Sequence, residues 1–243
     1  MESALQDHHR DDAGDKRRSL RFMIFNVMAH DAGVQSIVFH GLRDPVNLVS
    51  VGNDAKLNIL DIQDPFVPMT IFRLRSIIYC VVWPGHCQKI SFVDGDLMGK
   101  EANMQDCQDF KSGQHFAECS GMMMCMAASE QHVYITHGTS DGFVKFHNSY
   151  TQRIRGVPKI QPVVYKLIYH EETDTYRYID GLEPIAIKKK GNNTDMVNFV
   201  LDHNISINQV CWNHNSKTSA WMASAGSNGL CRLDFIGVGE DWD

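Results

Sequence analysis

The chain has 243 residues, 43% of them hydrophobic and 21% charged, enough to bury one large all-β domain or two small domains. Its formal net charge of −6 lacks the basic excess with which a self-sufficient nucleic-acid binder neutralises phosphates, so DNA contact is expected only through a local patch or a partner. No run of about 18 apolar residues exists to form a membrane-spanning helix, and the polar stretch at residues 1–18 has no apolar signal-peptide core.

Residues 1–20 read as a disordered polar tail. Its Lys16-Arg17-Arg18 cluster, with Arg21, is a nuclear import signal or phosphate contact on one reading and a solvated tail on the other. Ala29-His30-Asp31-Ala32-Gly33 reads as a His-bearing lead-in loop to an alternating strand, with Val34, Ile37 and Phe39 among its apolar positions. From Leu48 to Asp61 a strand reaches a polar turn at Asp54 and a second strand leaves it. Ile90-Ser91-Phe92-Val93 then runs into Asp94-Gly95-Asp96, and residues 99–120, rich in Asp, Gln, Ser and Cys, read as an excursion from the rim. Gly121-Met122-Met123-Met124-Cys125-Met126 reads as a buried inner strand, with a soft methionine docking surface as the alternative. The strand–turn–strand grammar returns from Thr136 to Phe146, around Asp141. Residues 163–190 read as a hairpin with arms Val163–Tyr169 and Tyr176–Ile179, a polar tip at Glu171–Asp174, and Lys188-Lys189-Lys190 as an exposed strand end. Ile205–Trp212 alternates, Trp221–Leu233 turns at Asn228, and residues 237–243 form an acidic tail.

Asp54, Asp141 and Asn228 are separated by equal intervals of 87 residues. That is twice the roughly 40–45 residues of a WD propeller blade, so a weaker copy is expected midway through each interval. Ile90–Asp96 and Tyr178-Ile179-Asp180-Gly181, short apolar strands running into Asp-Gly turns, fill those places. The fold class expected is therefore all-β, a WD-repeat β-propeller over residues 21–236 with about five recognisable four-stranded blades. A WD ring commonly has more, so an open ring, or one completed by a partner, is expected.

Little in the chain points to chemistry. Seven cysteines, Cys80, Cys87, Cys107, Cys119, Cys125, Cys211 and Cys231, are an odd number without a secretion signal, and free thiols in a reducing compartment follow. The Cys107, His115, Cys119, Cys125 group has spacings of eight, four and six, which fit no common zinc pattern. Cys80, His86 and Cys87 fare no better. There is no phosphate-cradling loop and no His-Glu-x-x-His, and no segment is read as a nucleophile elbow. No catalytic residue, metal, cofactor or small-molecule substrate is expected.

The first unit resembles the WD-repeat pattern, with Ala29-His30 in place of Gly-His and Leu60-Asp61 in place of Trp-Asp. The resemblance implies a buried hydrogen-bonded set of His30, Ser50 and Asp54, incomplete because the Trp is missing. Asp64-Pro65-Phe66-Val67-Pro68 with Arg73 and Arg75, then Gly138-Thr139-Ser140-Asp141-Gly142 with Arg153-Ile154-Arg155, extend the likeness. Ile207-Asn208-Gln209-Val210-Cys211-Trp212-Asn213 and Trp221 through Arg232 close it. Their order over residues 24–236 resembles the C-terminal WD propeller of subunit 2 of general transcription factor IIIC, in its fungal form. That family carries a long tail and further blades ahead of this region, whereas this chain starts with Met shortly before its first clear blade, so it reads as a truncated member. The resemblance implies a nuclear, non-catalytic scaffold that helps recruit RNA polymerase III. It would pair with a second WD-propeller subunit and meet DNA only within the assembly. Phe66, Arg73, Arg153 and Arg155 are the candidate partner contacts, because exposed aromatics and arginines supply most interface hot spots. The rival reading is a generic WD-repeat adaptor of a chromatin or ubiquitin-ligase complex, and a propeller hydrolase is a more distant one.

Overall fold

The computed structural model describes residues 26–40, 46–95, 99–103, 114–117, 121–149, 160–186 and 201–237. Strands form where β-branched and aromatic residues alternate with polar ones, and they stop at Gly, Asp or Asn turns. Sheet 1 contains β1 (Val34–Phe39), β2 (Asn47–Gly52), β3 (Lys56–Asp61) and β4 (Thr70–Arg73). Sheet 2 contains β5 (Ile78–Val82), β6 (Lys89–Asp94), β7 (Gly99–Asn103) and β8 (Gln114–Ala117). Sheet 3 runs β9 (Met123–Ala128), β10 (Tyr134–Thr139), β11 (Phe143–Asn148), β13 (Val163–His170) and β14 (Thr175–Asp180). A two-residue ladder joins β12 (Ile160–Gln161) to β15 (Ile185–Ala186). Sheet 4 contains β16 (Ile207–Trp212), β17 (Trp221–Gly226) and β18 (Cys231–Phe235).

Each of the four main sheets is an antiparallel meander, and no helix occurs among the described residues. The sheets pack in a row, 1 on 2, 2 on 3 and 3 on 4. The first strands β1, β5, β9 and β16 carry most of that packing, a β-propeller-like arrangement. One apolar cluster fills each junction. Val49, Val51, Leu57 and Ile59 meet Ile78, Trp83, Ile90 and Phe92 between sheets 1 and 2. Val82 and Val93 meet Met123, Met126 and Ile135 between sheets 2 and 3. Tyr134, Val144, Phe146 and Tyr165 meet Ile207, Val210, Trp212 and Met222 between sheets 3 and 4.

The three spaced turns occupy the same place in their sheets, between the second and third strands of sheets 1, 3 and 4. Their following residues share a left-handed backbone: Ala55 at φ 57°, Gly142 at φ 84° and Gly229 at φ 81°. Two of these are glycines, for which that conformation costs least. Gly142 has a second reason to be glycine, because a Cβ there would stand 2.4 Å from the Leu167 carbonyl oxygen.

Three expectations are corrected. Tyr178-Ile179-Asp180-Gly181 is not a separate unit: β14 pairs with β13 from Tyr165↔Asp180 to His170↔Thr175 as the fifth strand of sheet 3. Any hairpin arm can end in an apolar strand and an Asp-Gly turn, so that signal does not distinguish a fifth strand from a new blade. Among the described residues four main sheets therefore stand where about five blades were expected, and Asp141 and Asn228 lie in sheets that pack directly on each other. Finally, the ends of the expected excursion at 99–120 are β7 and β8, ladder strands of sheet 2. The expected hairpin at 163–179 and the buried strand at 123–126 are present as β13–β14 and β9. The tail at 1–20 and residues 238–243 lie outside the described residues.

Candidate interaction surfaces

The lead-in loop lies over the outer face of sheet 1 because its polar groups find partners there. His30 Nε2 is 2.8 Å from Ser50 Oγ, and its Nδ1 is 2.9 Å from Asp54 Oδ1. Asp54 also accepts the backbone amides of Asp31 at 3.0 Å and Lys56 at 3.1 Å, and Asn58 donates to the Ala29 carbonyl. Burial pushes the Asp54 carboxyl up, but the His30 bond, the two amides and the His30 charge together hold it below its ordinary value. Gly52 makes room for the ring, since a Cβ there would come within 2.9 Å of His30 Nδ1.

The other turns carry different versions of this arrangement. At Asn228 the side chain accepts the Leu230 amide at 2.9 Å and donates to the Asn204 carbonyl at 2.7 Å. At Asp141 the Thr139 hydroxyl donates to the carboxylate, and Ser140 Oγ accepts the Met122 amide at 2.9 Å. Gly138-Thr139-Ser140-Asp141-Gly142 has the letters of a Gly-x-Ser-x-Gly elbow, which the sequence reading passed over. It sits between antiparallel strands β10 and β11, with Ser140 buried, and not on the strand-to-helix turn that exposes such a nucleophile.

The junction of sheets 2 and 3 is the most polar. Glu101 on β7 lies 3.3 Å from His147 Nε2 and 3.7 Å from Lys89 Nζ. Beside them His137 is fully buried. Burial, then the charges of His147 and Lys145, hold its pKa well below the ordinary histidine value, so its ring stays neutral. Burial likewise raises the thiol of Cys80 to about 11 and that of Cys125 to about 12, which leaves both protonated and poor nucleophiles. Among the described residues no group of three or more His, Cys, Asp and Glu side chains is placed to hold a metal, and no helix is long and apolar enough to cross a membrane.

Two outer faces carry exposed apolar side chains. On sheet 1 Ile37 is 62% and Phe39 51% exposed, and exposed Ile71 shares their face but stands apart, with buried Ser50 and Asn58 of the two intervening strands between Ile37 and Ile71. On sheet 4 Leu233 is 67% and Phe235 63% exposed, and Trp221 meets the Phe235 ring edge-on at 5.5 Å. The β3–β4 loop adds Phe66, 69% exposed, with Val67 and Met69. Arg73 is exposed at the end of β4, while Arg153 and Arg155 lie outside the described residues. Sequence reasoning picked out Phe66 and Arg73 but missed Val67, Met69 and the sheet 4 face. The alternation of Leu233 and Phe235 with Arg232 and Asp234 marks two faces without saying which one is covered.

A further contact joins sheets 3 and 4. Arg232 donates to Asp180 Oδ1 at 2.6 Å and to Asp234 Oδ1 at 2.8 Å, and its guanidinium stacks 4.5 Å from the Tyr165 ring and 4.8 Å from that of Tyr178. Tyr165 in turn bonds Ser224 Oγ at 2.6 Å, and burial raises the Tyr165 phenol to about 12.

No family model matches the chain. It is a distant homologue of the "Transcription factor tau subunit sfc6" of Schizosaccharomyces pombe, 26% identical over 230 residues. The alignment covers 89% of this chain and 36% of the relative, so the chain spans about a third of that protein's length. Among solved structures, a chain in the crystal structure of the Mitotic Checkpoint Complex is similar with a TM-score of 0.52 and 12% identity, covering 88% of this chain and 54% of that one. That likeness is one of fold alone.

Proposed function

We propose that the chain is a WD-repeat propeller segment serving as a non-catalytic scaffold subunit of a nuclear RNA polymerase III initiation factor of the IIIC class. It acts in promoter recognition through a protein partner, a second propeller subunit, and touches DNA only within that assembly. The observation that carries this reading is the 26% identity spread over 230 residues of a transcription factor tau subunit, which reaches all four sheets. Two features of the chain agree with it. A net charge of −6 suits a subunit that leaves most phosphate contacts to others, and exposed apolar loops and sheet faces suit protein docking.

The partner contacts are Phe66 and Arg73, with Arg153 and Arg155. Affinity purification from the source cells followed by mass spectrometry should recover other subunits of the same factor. Alanine at all four positions should reduce that recovery. Recovery of a cullin adaptor or a chromatin complex in their place would sink the transcription reading, and unchanged recovery by the fourfold variant would remove these residues from the interface.

A further inference from the structure

Alternate residues of a strand share a side, and β11 turns Phe143, Lys145 and His147 toward sheet 2. His147 stands at the far end of this row, 3.3 Å from Glu101 of β7. Lys145 stands in the middle, opposite His137 on β10. It is only 2% exposed, and its Nζ lies 4.8 Å from the centroid of the Phe143 ring. Lys166 on β13, the cross-strand partner of Phe143, brings a second ammonium to 4.7 Å from the same centroid. Other lysines have carboxylates: Lys56 meets Asp31, Lys89 meets Glu101 and Lys100 meets Asp94. Among the described residues Lys145 and Lys166 have none. A ring face attracts an ammonium but does not neutralise it, and a buried cation without an acceptor is costly. Behind Lys145, both ring nitrogens of buried His137 also lack a partner.

We infer that Lys145 and Lys166, gathered over Phe143, form a binding site for one carboxylate. The carboxylate bridges the two ammonium groups and supplies the acceptors and the negative charge that they lack. Phe143 and Lys166 are half-buried, so the site opens to solvent near the Asp141 turn, and buried Lys145 closes its inner side. Two carboxylates border this face and are engaged elsewhere, Glu101 by His147 and Lys89 and Asp141 by the Thr139 hydroxyl. Their charges favour a singly charged anion over phosphate. The site needs only sheet 3, so it and the transcription role can fail independently.

The 243-residue chain should unfold about 3 °C or more higher in about 100 mM potassium acetate than in potassium chloride at the same pH. Lys145→Met, which keeps the bulk and removes the charge, should abolish that difference, and so should Lys166→Gln at its half-buried position. Equal midpoints in the two salts would overturn the site, because the ring and water then suffice for both lysines. A difference that persists in either folded variant would overturn it as well, since acetate then acts elsewhere. At matched ionic strength the part of the phosphate effect that Lys166→Gln removes should be smaller than the acetate part; a larger one would overturn the assignment to a carboxylate. Acetyl-glutamate amide in place of acetate separates the sources of the group. Equal protection points to an acidic side chain of a partner protein, and protection by acetate alone points to a small free acid.

Discussion

At Asp54 one carboxylate serves a ring nitrogen and two backbone amides, so its removal strands several donors at once. Asp54→Ala should destabilise the fold by about 1–3 kcal/mol in chemical denaturation, and a change below about 0.5 kcal/mol would mean that solvent replaces the carboxylate. The neighbouring Ala55 pays a steric cost in its left-handed backbone that Gly142 and Gly229 avoid. Ala55→Gly should therefore raise stability by about 0.5–1 kcal/mol in the same assay, the relief outweighing the added freedom of the unfolded chain. His137 makes stability depend on pH. Its folded ring resists protonation while the unfolded ring titrates near pH 6.5, so its contribution is complete above that pH and drains away below it. Urea midpoints at pH 7.5 and 5.5 should show a loss in the native protein that His137→Met reduces, by up to about 1.4 kcal/mol one pH unit below 6.5. His30 and Asp54 were legible in the sequence because the lead-in loop and the turn repeat known grammar. His137 was not, since a histidine between Thr136 and Gly138 looks the same whether its sheet face is wet or covered.

Among the elements, the β13–β14 hairpin shows where reading by period stops. Its two arms and polar tip were plain from alternation and from Glu171–Asp174. The 87-residue arithmetic nevertheless assigned its second arm to a new blade, because local sequence specifies a strand but not its neighbour. The hairpin turn makes β13 its neighbour, and Arg232, stacked on the rings of Tyr165 and Tyr178 and bonded to Asp180, ties this fifth strand to sheet 4. Arg232→Ala should loosen this tie by about 1–2 kcal/mol, the sum expected of a stacked cation and a partly exposed ion pair. Hydrogen exchange should then quicken about tenfold in residues 175–180 and stay unchanged in sheet 1. Equal acceleration in both sheets would mean that the contact stabilises the whole molecule and not the hairpin.

For the molecule as a whole, charge sets the expectation for nucleic acid. The largest tight basic cluster is Lys16, Arg17, Arg18 and Arg21, with Lys188-Lys189-Lys190 the next, and each phosphate contact adds about 0.9 to the salt slope on duplex DNA. Fluorescence anisotropy with duplex DNA should show a slope of at most about 4 and no submicromolar binding at about 150 mM salt; submicromolar binding there would make the chain a direct DNA reader. Because every main sheet is a meander, most strand pairing joins segments made one after another. A ribosome adding about 5–20 residues per second would complete β4 at Arg73 and need about 2–9 seconds more to reach Ala117 at the end of β8. Until Ile78, Trp83, Ile90 and Phe92 have emerged within that interval, Val49, Val51, Leu57 and Ile59 lack their cover, and the nascent first sheet exposes apolar surface to other proteins.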